Sequence, residues 1–199
     1  MEGSKMIIYA PVEALRAHAL TQAKNDVRYY LNAVHLKGNT IQTTNGHVAL
    51  SSVHGLVNAP EEGVILKIST PPSGRTFSTA VIDTDAGIVY WTSAIADKPK
   101  DLAEYDFRKM RGAVGTVDVV DARYPDIDRL IAGQKAGAKA VTEIKVASEY
   151  LGLIEKLGKK FGAKMPFADL HFAAKDQPLR VEFETPCGPA TFIIMPARG

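Results

Sequence analysis

The stretch that decides the fold is Asn25-Asp26-Val27-Arg28-Tyr29-Tyr30-Leu31-Asn32, which is followed after a turn by Thr44-Asn45-Gly46-His47. Residues 27–36 are rich in Val, Tyr and Leu, which are common in β-strands. Lys37-Gly38-Asn39 has the composition of a tight turn. We therefore predict a strand over 27–36 and a second over 40–44, with a third over 47–53.

The residues before this stretch predict a strand followed by a helix. Residues 6–9 favour a short strand, and Pro11 stands where a first helical turn tolerates proline. Val12, Leu15, Ala19 and Ala23 recur at helical spacing, so the helix is predicted from 11 to about 24.

The middle of the chain is predicted to be almost entirely β. Runs rich in β-formers between turn residues indicate strands at 64–69, 79–82, 88–92 and 114–120. The charged segment 97–111 is predicted as a long surface loop or a short helix. Tyr124-Pro125-Asp126 interrupts the pattern, and 128–131 leads into a Gly/Ala/Lys-rich link over 132–140.

The last sixty residues repeat the opening arrangement. A strand is predicted at 141–146, an amphipathic helix at 147–161, and three strands at 167–173, 179–184 and 190–195. Both ends of the chain therefore share a strand–helix–strands pattern. The fold class that follows is α+β.

Composition excludes several classes of protein without identifying one. The chain has 199 residues, is 46% hydrophobic and has a net charge of +2, which is too small to indicate nucleic-acid binding. The single cysteine, Cys187, excludes an internal disulfide framework and fits a reducing compartment. No apolar run approaches the ~20 residues that span a bilayer. We expect a soluble, cytoplasmic protein with no membrane partner.

No catalytic constellation is visible in the sequence. The glycines form neither a phosphate-binding loop nor a dinucleotide motif. None of the five histidines lies at metal-ligand spacing from Cys, Asp or Glu, so structural or surface roles are favoured for them. We expect a protein that is not an enzyme and that needs no cofactor or metal. A hydrolase or nuclease stays open as a weaker alternative, although no acid can be nominated for it.

Three motifs resemble those of the bacterial DNA sliding clamp, the beta subunit of DNA polymerase III. The opening stretch resembles the family's D-V-R-Y-Y-L-N-G and A-T-D-G-H-R-L-A at nearly the same spacing. Residues 120–129, Val-Asp-Ala-Arg-Tyr-Pro-Asp-Ile-Asp-Arg, resemble V-D-G-R-F-P-D-Y-R-R. Residues 192–198, Phe-Ile-Ile-Met-Pro-Ala-Arg, resemble the closing Y-V-V-M-P-M-R. The resemblance implies the DNA-clamp fold, with strand–helix–strand repeats, antiparallel sheets and helices on one face.

The resemblance covers part of a clamp. Residues 1–131 resemble the middle clamp domain, with a second half that lacks a clear helix, and residues 132–199 resemble the second half of the final domain. The family's first domain and the first half of its last have no counterpart. Shortened clamps of this kind resemble those of bacteriophages and prophages.

Clamps of this family encircle duplex DNA and bind its phosphates without reading sequence. The resemblance implies DNA-binding roles for basic residues on and beside the two predicted helices. They are Arg16, Lys24, Arg28, Lys156, Lys159 and Lys160. The alternative is that these side chains form ordinary solvated helix faces.

The family also has a hydrophobic pocket that binds a short motif carried by polymerases and other replication proteins. By motif, its positions here are Thr44, Gly46, Pro125, Arg129, Leu130, Ile193, Met195, Pro196 and Arg198. Alternatively, Ile193 and Met195 are core residues of a terminal strand. The family's Arg-Leu after Gly-His is Val48-Ala49 here, and Asn45, Ile127, Asp128 and Ala197 are further departures. The pocket is therefore expected to be wider, weaker or tuned to another motif.

The function that the resemblance implies is that of a DNA sliding-clamp-like processivity factor. Its expected partners are double-stranded DNA, a DNA polymerase or other clamp-motif protein, a clamp loader, and further copies of itself in a ring. Four repeat units per chain would close the family's twelve-unit ring as a trimer, and three as a tetramer. The rival interpretation is a non-encircling interaction module that sequesters clamp-binding motifs or modulates host replication.

Overall fold

The computed structural model describes residues 6–73, 77–93, 112–135, 144–162, 167–186 and 188–197. The first repeat contains β1 (Ile7–Pro11), α1 (Val12–His18), a short 3-10 helix (Tyr29–Asn32), β2 (Val34–Lys37), β3 (Thr40–Thr44) and β4 (Val48–Val53). The second contains β5 (Val64–Ile68), β6 (Thr79–Asp83), β7 (Ile88–Thr92) and β8 (Gly112–Val119). The remainder contains α2 (Ile127–Lys135), α3 (Ser148–Lys160), β9 (Asp169–His171), β10 (Leu179–Thr185) and β11 (Gly188–Ile194).

The strands in the described part of the chain form one antiparallel sheet of eleven. Their order is β1-β6-β7-β8-β5-β2-β3-β4-β11-β10-β9. The first two repeats exchange strands, since β1 pairs with β6 and β5 pairs with β2. The C-terminal repeat joins them through β11, which pairs with β4 from Ala190 opposite Ser52 to Ile194 opposite Val48. The expected α+β class and antiparallel strand–helix–strand arrangement are confirmed.

Two large apolar clusters form most of the core. One packs α1 against strands of the first two repeats and contains the fully buried Ile8, Leu36 and Trp91. The other packs α3 against β4, β10 and β11 and contains Leu50, Leu157 and Phe192. The helices are thus held to the sheet by apolar contacts from both ends of the chain.

Helix α1 is shorter than predicted, because it ends at His18 and not near residue 24. The hydroxyl of Thr21 donates to the His18 carbonyl at 3.1 Å, and the Leu20 N–H donates to the Ala17 carbonyl at 3.0 Å. Such tight turns and local side-chain bonds compete with helix continuation. Ala23 is buried in the turn that follows, so an apolar periodicity continues past the end of the helix.

The strand predicted over 27–36 is also wrong in its first part. Asn32 bridges the loop, since its side-chain oxygen accepts from the Asp26 N–H at 3.0 Å and its amide donates to the Asp26 carbonyl at 2.8 Å. The 3-10 helix follows, and only β2 is extended. Val27, which was expected in a strand, is 95% exposed.

Two further differences lie around the C-terminal repeat. Residues 127–135 form α2, where only a short lead into a link was predicted. Residues 144–146, predicted as the end of a strand, have no regular structure. The rest of that predicted strand, residues 136–140 of the predicted link, the segment 97–111 and Cys187 lie outside the described residues.

In the described part of the chain, no helix is long and apolar enough to cross a membrane.

Candidate functional site

Residues from all three sequence motifs line one cavity of about 200 Å³ beside the junction of β4 and β11. We call this cavity the motif pocket. It brings together five of the nine predicted positions, which are Thr44, Gly46, Pro125, Leu130 and Met195. The other lining residues are Arg28, Tyr30, Leu31, Val48, Ala49, Asp126 and Ile127.

A rigid turn between β3 and β4 forms one wall of the motif pocket. The Thr44 hydroxyl donates to the Val48 carbonyl at 2.6 Å and accepts from the Gly46 N–H at 3.0 Å. The side-chain oxygen of Asn45 accepts from the N–H groups of His47 and Val48 at 2.9 and 3.0 Å. Asn45 therefore supplies the turn-forming acceptor that an aspartate would also provide.

Gly46 is required at this turn for two reasons. Its φ of +90° is a conformation that L side chains rarely adopt. A Cβ here would also lie 3.1 Å from the guanidinium nitrogens of Arg28. The glycine thus permits Arg28 to lie against the turn, and this is why Arg28, predicted as a DNA contact, lines the motif pocket instead.

Arg28 is held in place by Asp26. The two side chains form an ion pair with an N–O distance of 2.8 Å, and a second guanidinium nitrogen donates at 3.0 Å. These hydrogen bonds lower the pKa of Asp26 to about 2. Both groups consequently stay charged at neutral pH, and a fixed cation stands at the pocket rim.

Helix α2 forms the opposite wall and begins at a capped turn. The carboxylate of Asp126 accepts from the Arg129 N–H at 2.9 Å, as an N-cap residue does. Asp128, which replaces an arginine of the family motif, accepts from Lys37 at 3.0 Å and from Gln42 at 2.6 Å. This departure therefore fastens α2 to β2 and β3.

The remaining predicted pocket positions lie elsewhere. Ile193 is fully buried beneath the pocket, in a cluster with Tyr124 and Ile127, which matches the alternative of a core residue. Arg129 is exposed and does not line the cavity, and Arg198 lies outside the described residues. Pro196 lines an adjoining groove instead.

The adjoining groove is wide and shares Gly46 and Met195 with the motif pocket. Met195 is 37% exposed, and its N–H donates to the His47 carbonyl at 2.9 Å. The His47 ring stacks on Tyr150 of α3, with centroids 6.3 Å apart. Charged residues from three segments complete the walls, namely Lys145, Glu149, Lys175 and Asp176. The two cavities therefore adjoin, and each has charged residues within a mainly apolar lining.

Tyr30, Leu31 and Ile127 also line the pocket and were not predicted to do so, although all three lie inside the quoted motifs. Their place within the motifs was the signal that could have identified them as pocket residues. Strand alternation, which was assumed for residues 27–36, does not predict which of these side chains share a face. The 3-10 turn brings Arg28, Tyr30 and Leu31 to the same cavity.

The predicted DNA-contacting residues divide into separate groups. Arg16, Lys159 and Lys160 line one depression between α1 and the end of α3, which we call the basic depression. Glu13 is the one acidic residue among the described residues that line it. Lys156 is exposed on α3 but does not line it, and Lys24 lines a different cavity. The Arg16 guanidinium donates to the Pro72 carbonyl, which holds the loop after β5 against α1.

In the described part of the chain, no three His, Cys, Asp or Glu side chains are grouped so that they could hold a metal ion.

No protein-family model matches the sequence, and no curated protein is similar to it in sequence. Solved structures do match. A DNA polymerase sliding clamp from Pseudomonas aeruginosa superposes with a TM-score of 0.57 at 13% identity, over 100% of this chain and 69% of the clamp. The DNA polymerase III beta subunit of Thermotoga maritima gives 0.55 at 16% identity, over 99% of this chain and 66% of that one. The beta subunit of Streptococcus pyogenes gives 0.55 at 13% identity, over 100% and 67%.

The similarity covers essentially the whole of this chain, which spans about two thirds of the length of the clamps that it matches. At 13–16% identity it is a similarity of fold. The antiparallel sheet, its exchanged strands and the helices packed on it are therefore those of a clamp. The chain has the fold of the bacterial DNA polymerase III beta sliding clamps.

Proposed function

We propose that the protein is a sliding-clamp-like, non-enzymatic binding protein that captures a short linear motif of a DNA polymerase or another replication protein. The observation that carries the proposal is the convergence of Pro125, Leu130 and Met195, from two sequence-distant motifs, on one cavity beside the Thr44–Gly46 turn. Preformed apolar cavities with polar edges are typical of motif-binding sites. The fold similarity to clamps supports the same assignment.

The cavity favours a ligand with one or two apolar anchors. Leu31, Ile127 and Leu130 supply apolar lining, whereas Arg28 and Thr44 supply polar groups at the edge. Val48 and Ala49 stand where the clamp motif has Arg and Leu, so these two positions contribute no charge and less bulk. We therefore propose a bulkier or less charged anchor than a full-length clamp binds.

Substituting Met195 or Leu130 with glutamate is expected to weaken motif binding at least tenfold. A carboxylate placed in the cavity would have to lose water when the apolar anchor enters, while the nearby Arg28 is already paired with Asp26. This desolvation costs more than the 1.4 kcal/mol that a tenfold change requires. Fluorescence anisotropy with a labelled clamp-binding peptide from a bacterial replicative polymerase measures the change. Because Met195 is already partly exposed, the variant is expected to fold.

Leu151→Glu is the matched control for these substitutions. Leu151 is 43% exposed on α3, so the same chemical change is made at similar exposure outside the motif pocket. The control is expected to bind like the wild type. Equal affinity of the wild type and Met195→Glu for the peptide would refute the proposal that the motif pocket is the binding site.

We further propose that the basic depression contacts the phosphates of duplex DNA. Arg16 lies on α1, and Lys159 and Lys160 lie on α3, yet all three line the same depression. This convergence supports a common ligand. Lys159 is also paired with Glu155, one turn earlier on α3. Contacts of this kind give weak, sequence-independent binding that depends strongly on salt.

The double variant Lys159→Gln/Lys160→Gln is expected to bind duplex DNA several-fold more weakly at low salt. Its plot of log affinity against log salt concentration is expected to be shallower by about 2, because about two fewer counterions are released. Electrophoretic mobility shifts at a series of salt concentrations measure both quantities. Lys145→Gln, which removes an exposed lysine beside the adjoining groove, is the control. An unchanged slope in the double variant would refute the assignment.

Ring closure is the finer part of the proposal, and a non-encircling module is the alternative. Because the motif pocket lies within a single chain, the motif could be bound in either arrangement. Sedimentation mass separates the two, because a ring needs several copies. Retention on nicked circular DNA, with loss on linearisation, would establish encirclement.

A further inference from the structure

A cavity of about 440 Å³ lies beside α1, where the first two repeats differ. In the first repeat α1 follows β1, whereas the described residues between β5 and β6 contain no helix. The cavity is bounded by the turn after α1 on one side and by the end of β5 with its loop on the other. We call it the lysine cavity, after Lys24 and Lys67 in its wall.

The charge in this cavity is of one sign. Among the described residues, Lys24 and Lys67 are its two charged lining residues, and none of the described carboxylates lines it. Both lysines are exposed, and neither has an ion-pair partner in the described part of the chain. Further polar groups line the wall, from Gln22, Asn25, Asn32, Ser69 and Thr70. A ligand that enters would therefore meet two unpaired cations among amides and hydroxyls.

The rest of the wall is apolar. Leu15, Val34 and Ile68 contribute aliphatic surface to the same cavity. The volume lies in the range of pockets for small molecules, about 300–1,000 Å³, and is larger than a bare phosphate needs. An anionic group attached to a flat or apolar body fits this combination of size and chemistry.

We propose that the lysine cavity binds a nucleoside phosphate, whose phosphate contacts Lys24 and Lys67 and whose base or sugar lies against the apolar wall. Phosphate oxygens accept charge-assisted hydrogen bonds from ammonium groups, which are stronger than neutral ones. Lys67 was not predicted from the sequence as a binding residue, because it lies on a strand that is distant in sequence from either predicted helix.

The position of the cavity allows two sources for this ligand. Ala19, Thr70 and Pro71 line both the lysine cavity and the basic depression, so the two are neighbours. A free nucleotide can enter the cavity alone. A nucleotide within a single strand can enter it while neighbouring phosphates contact Arg16 and Lys160. The phosphate chemistry is common to both sources.

Isothermal titration calorimetry at low salt tests the proposal with four ligands: dTMP, thymidine, inorganic phosphate and a ten-residue oligothymidylate. Binding is expected for dTMP or the oligonucleotide and not for thymidine. A tighter complex with dTMP identifies a free nucleotide as the source, and a tighter complex with the oligonucleotide identifies a strand. Absence of binding by both would overturn the proposal. Inorganic phosphate that binds as tightly as dTMP would also overturn it, because no nucleoside would then be recognised.

Lys24→Gln and Lys67→Gln are each expected to weaken that binding about tenfold, since each removes one charged hydrogen-bond donor. Both side chains are exposed, so the substitutions leave the core intact. Arg123→Gln, at an exposed position outside both the lysine cavity and the basic depression, is the control and is expected to bind like the wild type. Equal losses in all three variants would indicate general surface attraction and contradict the cavity. Since the motif peptide is not used, failure here leaves the proposed function unaffected.

Discussion

Replacing Phe192 with alanine is expected to lower the free energy of unfolding by about 3–5 kcal/mol, the usual cost of truncating a buried phenylalanine. Phe192 is fully buried in β11, in register with Leu50 of β4 and Val181 of β10. It packs in the cluster that also contains Leu157 and Phe161 from the α3 region. The cavity left by the ring would be lined by strands and a helix that are fixed on all sides, so little relaxation is expected.

The same variant tests how the chain is divided into domains. Trp91, the single tryptophan, is buried in the other large cluster and reports on residues 1–131. Circular dichroism reports on the whole chain. Because β11 pairs with β4 along five residue pairs, we expect both signals to change together in a guanidinium titration and to move to lower denaturant in Phe192→Ala.

Thr191→Ala is the control for this substitution. Thr191 is half-buried on the same strand, and its truncation is expected to cost less than about 1 kcal/mol. If Trp91 fluorescence kept its wild-type midpoint in Phe192→Ala while the circular dichroism midpoint fell, residues 1–131 and 132–199 would unfold as separate units. That outcome would support the division proposed from the sequence and refute a single cooperative unit.

Strands bounded by turn residues were predicted well from the sequence. The structure places β7 over the predicted range 88–92 and β3 over 40–44, and β6 differs from its prediction by one residue. These segments combine β-branched residues with clear Gly, Asn or Asp boundaries. Local propensity and tertiary packing therefore favour the same structure in them.

The elements that sequence patterns missed are those set by local side-chain bonds. Helix α2 was not predicted because Tyr124-Pro125-Asp126 was interpreted as an interruption of regular secondary structure. Pro and Asp are also helix-start signals, and Ile127, Leu130 and Ile131 follow at helical spacing. The loop before the 3-10 helix depends on the Asn32 bridge to Asp26, which composition does not indicate.

The site residues that belong to a family motif could be predicted from the sequence. Those that depend on contacts between distant segments or across a turn could not. Thr44, Gly46, Pro125, Leu130 and Met195 were nominated by motif and line one cavity. The position of Arg28 depends on a close approach to Gly46 and on pairing with Asp26, and these are contacts across a turn. Lys67 joins Lys24 only because β5 lies beside the turn after α1.

A series of buried side-chain hydrogen bonds links α1 to the centre of the sheet and involves two histidines. The ring of His18 hydrogen-bonds to the Thr43 hydroxyl at 2.8 Å and to the Ser52 hydroxyl at 2.7 Å. Ser52 also contacts Nε2 of His54 at 2.7 Å, and the His54 ring stacks on Phe161 with centroids 6.0 Å apart. Both histidines are 1% exposed, and Nδ1 of His54 has no hydrogen-bond partner among the residues that the structure describes.

Burial of the two rings lowers the pKa of both histidines. Desolvation lowers the pKa of His54 from 6.5 to about 4. The pKa of His18 falls well below 6.5, through burial first and the nearby His54 second. Between pH 6.5 and 4 the unfolded chain therefore binds protons that the folded chain does not, and this proton uptake favours unfolding as the pH falls.

The protein is accordingly expected to be most stable above pH 6.5 and to lose stability steadily as the pH falls toward 4. His54 alone would contribute a loss of about 3 kcal/mol over this range, at about 1.4 kcal/mol per unit of pKa shift, and His18 adds to it. Urea unfolding at pH 7.5, 6.0 and 5.0 measures the loss. Burial also lowers the pKa of His35, which adds a smaller change of the same sign.

His54→Phe separates this mechanism from general acid sensitivity. Phenylalanine keeps the stacking on Phe161 and removes the titrating group, while Ser52 keeps its hydrogen bond to His18. The variant is expected to lose less stability between pH 7.5 and 5.0 than the wild type. His47→Phe, at an exposed position, is expected to keep the wild-type dependence. A wild type as stable at pH 5.0 as at pH 7.5, or a His54→Phe variant with the full wild-type loss, would show that the buried histidines do not set the acid limit.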